Sequence, residues 1–148
     1  MLFGIYVVFN GHLSPGGGFS GGAVLGAPLT HDFAVISLSD RLTPWEKIER
    51  RLDYAAQADL SIVIYNPRSH GRPDNLKKAC DILLKTLPEN RPCGVVRNIG
   101  REGQQKFLLT LKELRDFEAD MFCTVFVGNA QTKIIGENLV TPRGYRDV

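Results

Sequence analysis

The chain is poor in cysteine, carries no surplus of charge and has no long apolar run, and each shortage removes a class of function. Its three cysteines, Cys80, Cys93 and Cys123, are an odd number at long spacings, with no Cys-x-x-Cys pair. That pattern argues against a disulfide framework and against a zinc site, and it fits a reducing cytoplasm. Lysine and arginine number 18 against 16 aspartate and glutamate. No long-range positive field can gather nucleic acid or an anionic membrane, so anion recognition has to be local. An aromatic-basic repeat is missing too, which disfavours a nucleic-acid-binding module. The apolar segment 2–9 falls far short of the ~20 residues of a membrane span and lacks the basic flank of a signal peptide, so it reads as a strand. There is no P-loop: Gly16-Gly17-Gly18 lacks the Lys-Ser/Thr ending and the following helix. His12 and His70 lie in loops with no ligand spacing around them, and no metal site is expected. His31 and Asp32 are adjacent, so on a strand their side chains point opposite ways, and they read as a turn or cap.

What is present is ordinary globular composition, 43% hydrophobic and 23% charged in 148 residues, enough for one respectable core. Ser14, Pro15 and the glycines from Gly16 to Gly22 are too flexible for a stable helix or packed strand. Residues 1–25 therefore form an atypical N-terminal strand and glycine-rich segment, and residues 26–148 form the domain. There strands alternate with amphipathic helices, the α/β pattern. Residues 33–38 read as a strand. Thr43, Pro44 and Glu46 predict a capped helix start, and Trp45, Ile48, Leu52 and Ala55 recur on one face. Residues 60–65 are apolar but for Ser61, as in a strand buried on both faces. Leu76, Ala79, Cys80, Leu83, Leu84 and Leu87 stripe a helix that begins near Pro73. Residues 94–97, 106–109 and 122–127 are further strands, and Thr110 can cap a short helix through Leu111 and Leu114. Residues 133–140 suggest an edge strand before an exposed end. The expected fold is one α/β domain, a mixed sheet of about five strands with helices on both faces.

Three of these strands run into loops rich in small, polar or basic residues: Tyr65-Asn66-Pro67, Arg97-Asn98-Ile99-Gly100-Arg101, and Gly128-Asn129. Ligands of open α/β sheets settle beyond the carboxyl ends of strands, so this edge is the candidate site. The guanidinium groups of Arg97, Arg101, Arg68 and Arg72 can form forked hydrogen bonds to carboxylates, which would suit a multiply carboxylated substrate.

Five segments carry a resemblance. They are Gly26-Ala27-Pro28-Leu29-Thr30-His31-Asp32-Phe33, Ser39-Asp40-Arg41-Leu42-Thr43-Pro44-Trp45-Glu46, Tyr65-Asn66-Pro67-Arg68-Ser69, Val96-Arg97-Asn98-Ile99-Gly100-Arg101-Glu102-Gly103 and Val140-Thr141-Pro142-Arg143-Gly144-Tyr145. In this order they resemble the C-terminal half of the precorrin-3B and cobalt-precorrin-3B carbon-17 methyltransferases, within the tetrapyrrole methylases. The resemblance implies a cleft between two α/β domains in which S-adenosylmethionine lies folded with its methyl group facing a tetrapyrrole. It implies that Asn66 lies against this cofactor, that the Ile99 backbone meets the adenosyl portion, and that Tyr65, Asn98 and Gly100 flank these contacts. Arg97 and Arg101 are the expected substrate-binding residues, and no catalytic residue is assigned. The family's N-terminal Gly-Pro-Gly and Gly-Asp-Pro motifs are not found here; only Gly4-Ile5-Tyr6 echoes the latter. The expectation is an incomplete methyltransferase of cobalamin biosynthesis, homo-oligomeric and paired with a separate N-terminal methylase domain. The alternative is a non-catalytic oligomerising or partner-binding domain derived from that enzyme.

Overall fold

A computed structural model of the chain describes residues 32–142. The expected strand at 2–9, the glycine-rich segment, His12, His31 and the chain beyond Pro142 lie outside the described residues. The elements in order are β1 (Phe33–Ser37), α1 (Trp45–Gln57), β2 (Ser61–Tyr65), α2 (Asn75–Leu83), β3 (Pro92–Arg97), β4 (Gln105–Thr110), α3 (Leu111–Arg115), β5 (Cys123–Val127), β6 (Lys133–Ile135) and β7 (Asn138–Val140).

Strands β1 to β5 form one mixed sheet in the order β1-β2-β5-β3-β4. β1 and β2 are parallel, with Ser37 opposite Tyr65. β5 is inserted antiparallel between β2 and β3, pairing Ile64 with Val125 on one side and Arg97 with Cys123 on the other. β4 closes the far edge, antiparallel to β3. The five-stranded mixed sheet is the one expected from the sequence.

The pleat divides the strands between two faces. Ile36, Ile62, Ile64, Cys93, Val95, Cys123, Val125 and Val127 join a core with Ile48 and Leu52 of α1, Leu76, Ala79, Cys80 and Leu83 of α2, and Leu111 and Leu114 of α3. All three described helices thus share one face, where helices on both had been expected. On the other face Val63, Val96 and Phe126 cluster with Ile99 and Leu139. There the tail folds as a β6–β7 hairpin rather than a single edge strand. Gly94 faces this hairpin: a Cβ at that position would stand 3.5 Å from Leu139 Cδ2, in ordinary contact.

Thr110 caps α3: its Oγ1 accepts from Glu113 N–H at 3.2 Å while Glu113 Oε2 accepts from Thr110 N–H at 2.8 Å, a reciprocal capping box. Thr43 does not cap α1. Pro44 itself is the N-cap, with no side-chain hydrogen bond, and its carbonyl accepts from Lys47 and Ile48. The helix therefore starts one residue later than the expected capping box required. α2 likewise starts at Asn75, two residues beyond Pro73.

Candidate functional site

Because β1, β2 and β3 run the same way, their carboxyl ends at Ser37, Tyr65 and Arg97 meet at one edge of the sheet. The antiparallel strands β4 and β5 begin there, at Gln105 and Cys123. β5 separates β2 from β3, so their terminal loops stand two strand spacings apart, about 10 Å. One correction concerns the third loop. Gly128-Asn129 lies at the opposite edge: Gly128 N–H donates to Pro92 O at 3.0 Å, and Ala130 N–H donates to Asp59 Oδ1 at 2.9 Å. A β5 reversed relative to β2 carries its carboxyl end away from the site. Gly128 is there for space, because a Cβ would stand 2.4 Å from Thr132 Cβ.

The loop after β2 is braced from below. Asn66 adopts a left-handed backbone at φ 50°, a conformation asparagine tolerates better than most residues, and its Nδ2 donates to Ser37 Oγ at 3.3 Å. The same hydroxyl accepts from Ser39 N–H at 3.2 Å. Leu38 N–H donates to Tyr65 O at 3.1 Å, and the buried Asn75 Nδ2 donates to Leu38 O at 2.8 Å. Arg72 is ion-paired with Asp40. The loops after β1 and β2 are thus one cross-linked unit. Tyr65 is half-buried on the same face as Val63 and Ser37. Arg68 is half-buried and His70 exposed in the loop beyond.

The loop after β3 turns through two left-handed residues, Asn98 at φ 55° and Gly100 at φ 72°. Asn98 N–H donates to Phe122 O at 3.1 Å, and its carbonyl accepts from Arg101 N–H at 2.9 Å. Gly100 N–H donates to Gln104 Oε1 at 2.9 Å. Between them Ile99 seats its side chain on Val63, Val96 and Phe126, while its own N–H and C=O have no hydrogen-bond partner among the described residues. A half-buried residue with both main-chain groups unpaired is uncommon, because burial without a partner is costly. Those two groups are what a heteroaromatic ligand with adjacent donor and acceptor would use.

The two expected substrate arginines differ. Arg97 points to the helix side of the sheet, its guanidinium 5.6 Å from the Phe107 ring and 5.9 Å from the Phe117 ring. Its NH2 group donates to Glu118 O at 2.9 Å, and its Nε stands 3.1 Å from Asp120 Oδ2 as an ion pair without hydrogen-bond alignment. Arg101 is exposed and lies 5.3 Å over the Phe122 ring. Residues the sequence reading passed over, Ser37, Asn75, Asp120 and Phe122, brace the site. Nothing local marks them, because each acts on a partner distant in sequence.

Burial, the largest influence, raises all three thiols, taking Cys80 up to about 12. Cys123 Sγ donates to Asp120 Oδ1 at 3.3 Å, so the cysteine nearest the site is a neutral thiol at physiological pH. Among the described residues no group of three His, Cys, Asp or Glu is placed to hold a metal ion, and no helix is long and apolar enough to cross a membrane.

Comparison with known proteins places this arrangement. The family model for tetrapyrrole (corrin/porphyrin) methylases matches residues 19–115. The chain is 48% identical over 124 residues to a probable cobalt-factor III C(17)-methyltransferase of Salmonella typhimurium, covering 83% of this chain and 51% of that protein. It is 41% identical over 128 residues to the precorrin-3B C(17)-methyltransferase of a Sinorhizobium species, covering 83% and 50% respectively. Among solved structures, that of the methyltransferase CobJ superposes with a TM-score of 0.70 at 39% identity, over 81% of this chain and 50% of that one. The chain thus spans about half the length of these relatives. With the family match extending over well over half of its length, this chain belongs to the tetrapyrrole methylase family.

Proposed function

We propose that the chain supplies one wall of the S-adenosylmethionine site of a cytoplasmic C(17)-methyltransferase of cobalamin biosynthesis, acting on precorrin-3B or its cobalt-containing counterpart with contraction of the macrocycle. The observation that carries this reading is Ile99, half-buried with N–H and C=O both unpaired among the described residues, between left-handed Asn98 and Gly100. Its main chain meets the adenosyl group, Asn66 lies beside that group, and Tyr65, Asn98 and Gly100 flank it. Bound there, S-adenosylmethionine would supply an electrophilic methyl group for transfer to a ring carbon. The residues of this chain serve that transfer by fixing position, since alignment in a water-poor cleft is the main requirement. No side-chain nucleophile is needed.

The opposite wall, in this reading, is an N-terminal methylase domain, the part of each relative that this chain does not match. Alone, the chain binds cofactor weakly and turns over little, because transition-state alignment needs both walls. The test is an NMR shift titration of the labelled chain with S-adenosylhomocysteine. Shifts are expected at the amides of residues 64–66 and 97–101, with a dissociation constant of about 1 mM, roughly 4 kcal/mol. Shifts confined elsewhere, or none at millimolar ligand, overturn it.

A second reading, a non-catalytic homo-oligomeric domain, draws on the hairpin. Ile134 and Ile135 are 45% and 50% exposed on β6, and adjacent strand residues point to opposite faces, so apolar surface is offered on both sides. Light scattering at tens of micromolar tests it; a clean monomer counts against it.

A further inference from the structure

We propose that Arg101 and Phe122 together form the receptor for a carboxylate-bearing arm of a planar, largely apolar substrate, a role that Arg97 does not share; this rests on the methyltransferase reading above. The two arginines bracket the same loop and differ in what already satisfies them. Arg97 is held by Glu118 O, by Asp120 and by the faces of Phe107 and Phe117. Turning outward would leave Asp120 without its cation and expose two aromatic rings. The Arg101 guanidinium has no carboxylate within ion-pairing reach among the described residues and lies 5.3 Å from the Phe122 ring.

A guanidinium lying on an aromatic face keeps its edge N–H groups directed outward, and the ring restricts its motion. It can then take a carboxylate through two parallel hydrogen bonds at a reduced entropic penalty. The apolar half of the receptor is present beside it. Met121 is 63% exposed and Phe122 49%, adjacent large side chains that a flat macrocycle would cover. The platform is also tied to the proposed cofactor wall through the main chain. Phe122 O accepts from Asn98 N–H at 3.1 Å, and Arg101 N–H donates to Asn98 O at 2.9 Å. One residue, Ile99, separates that anchor from Gly100. A simple anion would engage Arg101 alone; a carboxylated macrocycle engages Arg101, Phe122 and Met121 at once.

The test titrates the labelled full chain with uroporphyrin III, which carries carboxylates on every side arm, and with two comparators: citrate, which has carboxylates and no flat body, and a water-soluble porphyrin bearing N-methylpyridinium arms, which has the flat body and no carboxylates. Uroporphyrin should shift the resonances of Met121 and Phe122 and the Arg101 side-chain Nε–Hε. R101Q should weaken it about tenfold, the scale of one charge-assisted contact, F122L should weaken it several-fold, and R50Q on α1 should leave it unchanged. Both comparators should bind at least tenfold more weakly at these residues. The proposal is overturned if uroporphyrin shifts fall elsewhere, if R101Q matches the unaltered chain, or if either comparator binds as well. Arg101 is exposed, so R101Q gives a reading even if F122L fails to fold. S-adenosylhomocysteine, titrated separately, reports at Asn66 and Ile99. Uroporphyrin binding at Arg101 with no cofactor shifts would sink the cofactor wall and leave this receptor standing, and the reverse result would do the opposite.

Discussion

Asn98 N–H donates to Phe122 O at 3.1 Å, so the first residue beyond β3 is fixed by the last residue before β5. The left-handed turn that follows is therefore an extension of the sheet, and its geometry depends on β5 lying antiparallel beside β3. A strand inserted between β2 and β3 widens the space between the two candidate loops and places Phe122 in that space.

Gly100 sits at φ 72°, where a β-branched residue is strained by about 1–2 kcal/mol. Gly100→Val should abolish S-adenosylhomocysteine shifts at residues 97–101 and lower the thermal midpoint by several degrees. His70→Ala, in the exposed part of the neighbouring loop, should change neither. Equal binding by both variants would mean that the turn at Gly100 does not form the ligand contact.

The brace beneath the other loop gives a second expectation. Asn75 is 4% exposed and its Nδ2 donates to Leu38 O at 2.8 Å. Asn75→Ala leaves a buried carbonyl unpaired and should lower unfolding free energy by about 1–3 kcal/mol, read from the urea midpoint at unchanged slope. It should also broaden the amides of residues 65 and 66 as the loops after β1 and β2 loosen. Stability lost without any change there would show that the brace serves the core alone.

The strands, the helices and the cap at Thr110 were legible because their signals are local: apolar period, proline, and a threonine just ahead of an apolar helical run. Strand direction was not. Residues 122–127 read as β under any pairing, and only tertiary packing decides that β5 runs against its neighbours, which removed Gly128-Asn129 from the site edge. Side-chain destination was hidden for the same reason. Arg97 and Arg101 look alike in sequence, and what separates them is Asp120, Phe107 and Phe117, brought in by β4 and by the segment leading into β5. The candidate site was legible as a set of loops, since asparagine and glycine after an apolar strand mark a backbone turn, while Ser37 and Asn75 become visible only through their partners.

Two glycines should separate a need for space from a tolerance of substitution. A Cβ at Gly128 would stand 2.4 Å from Thr132 Cβ, whereas at Gly71 nothing lies within 4 Å. Gly128→Ala should destabilise by about 1–3 kcal/mol through overpacking, and Gly71→Ala should be neutral or stabilise by a few tenths of a kcal/mol. Parallel chemical denaturation of the two variants decides it. Equal stability would mean that the turn from Gly128 to Thr132 can relax.

Alkaline pH should weaken the fold through its buried thiols. Cys80 and Cys93 are both fully buried in the helix-side core, and burial raises both, Cys80 from 9.0 to about 12. In the unfolded chain these thiols ionise near the ordinary value of 9.0. Below pH 9 both states hold the protons and stability does not depend on them. Between pH 9 and 12 the folded chain keeps the Cys80 proton while the unfolded chain releases it, so stability falls as pH rises, by up to about 1.4 kcal/mol per pH unit for each thiol. The same protection slows chemistry, because the thiolate is the reactive form. Urea midpoints followed from neutral pH to about 10.5 should decline, and the Cys80→Ala, Cys93→Ala double variant should start less stable yet show a shallower decline. A disulfide reagent should label both cysteines slowly in the native protein and rapidly in urea. Fast native labelling, or parallel declines for the two proteins, would mean that these thiols are not held neutral by the core.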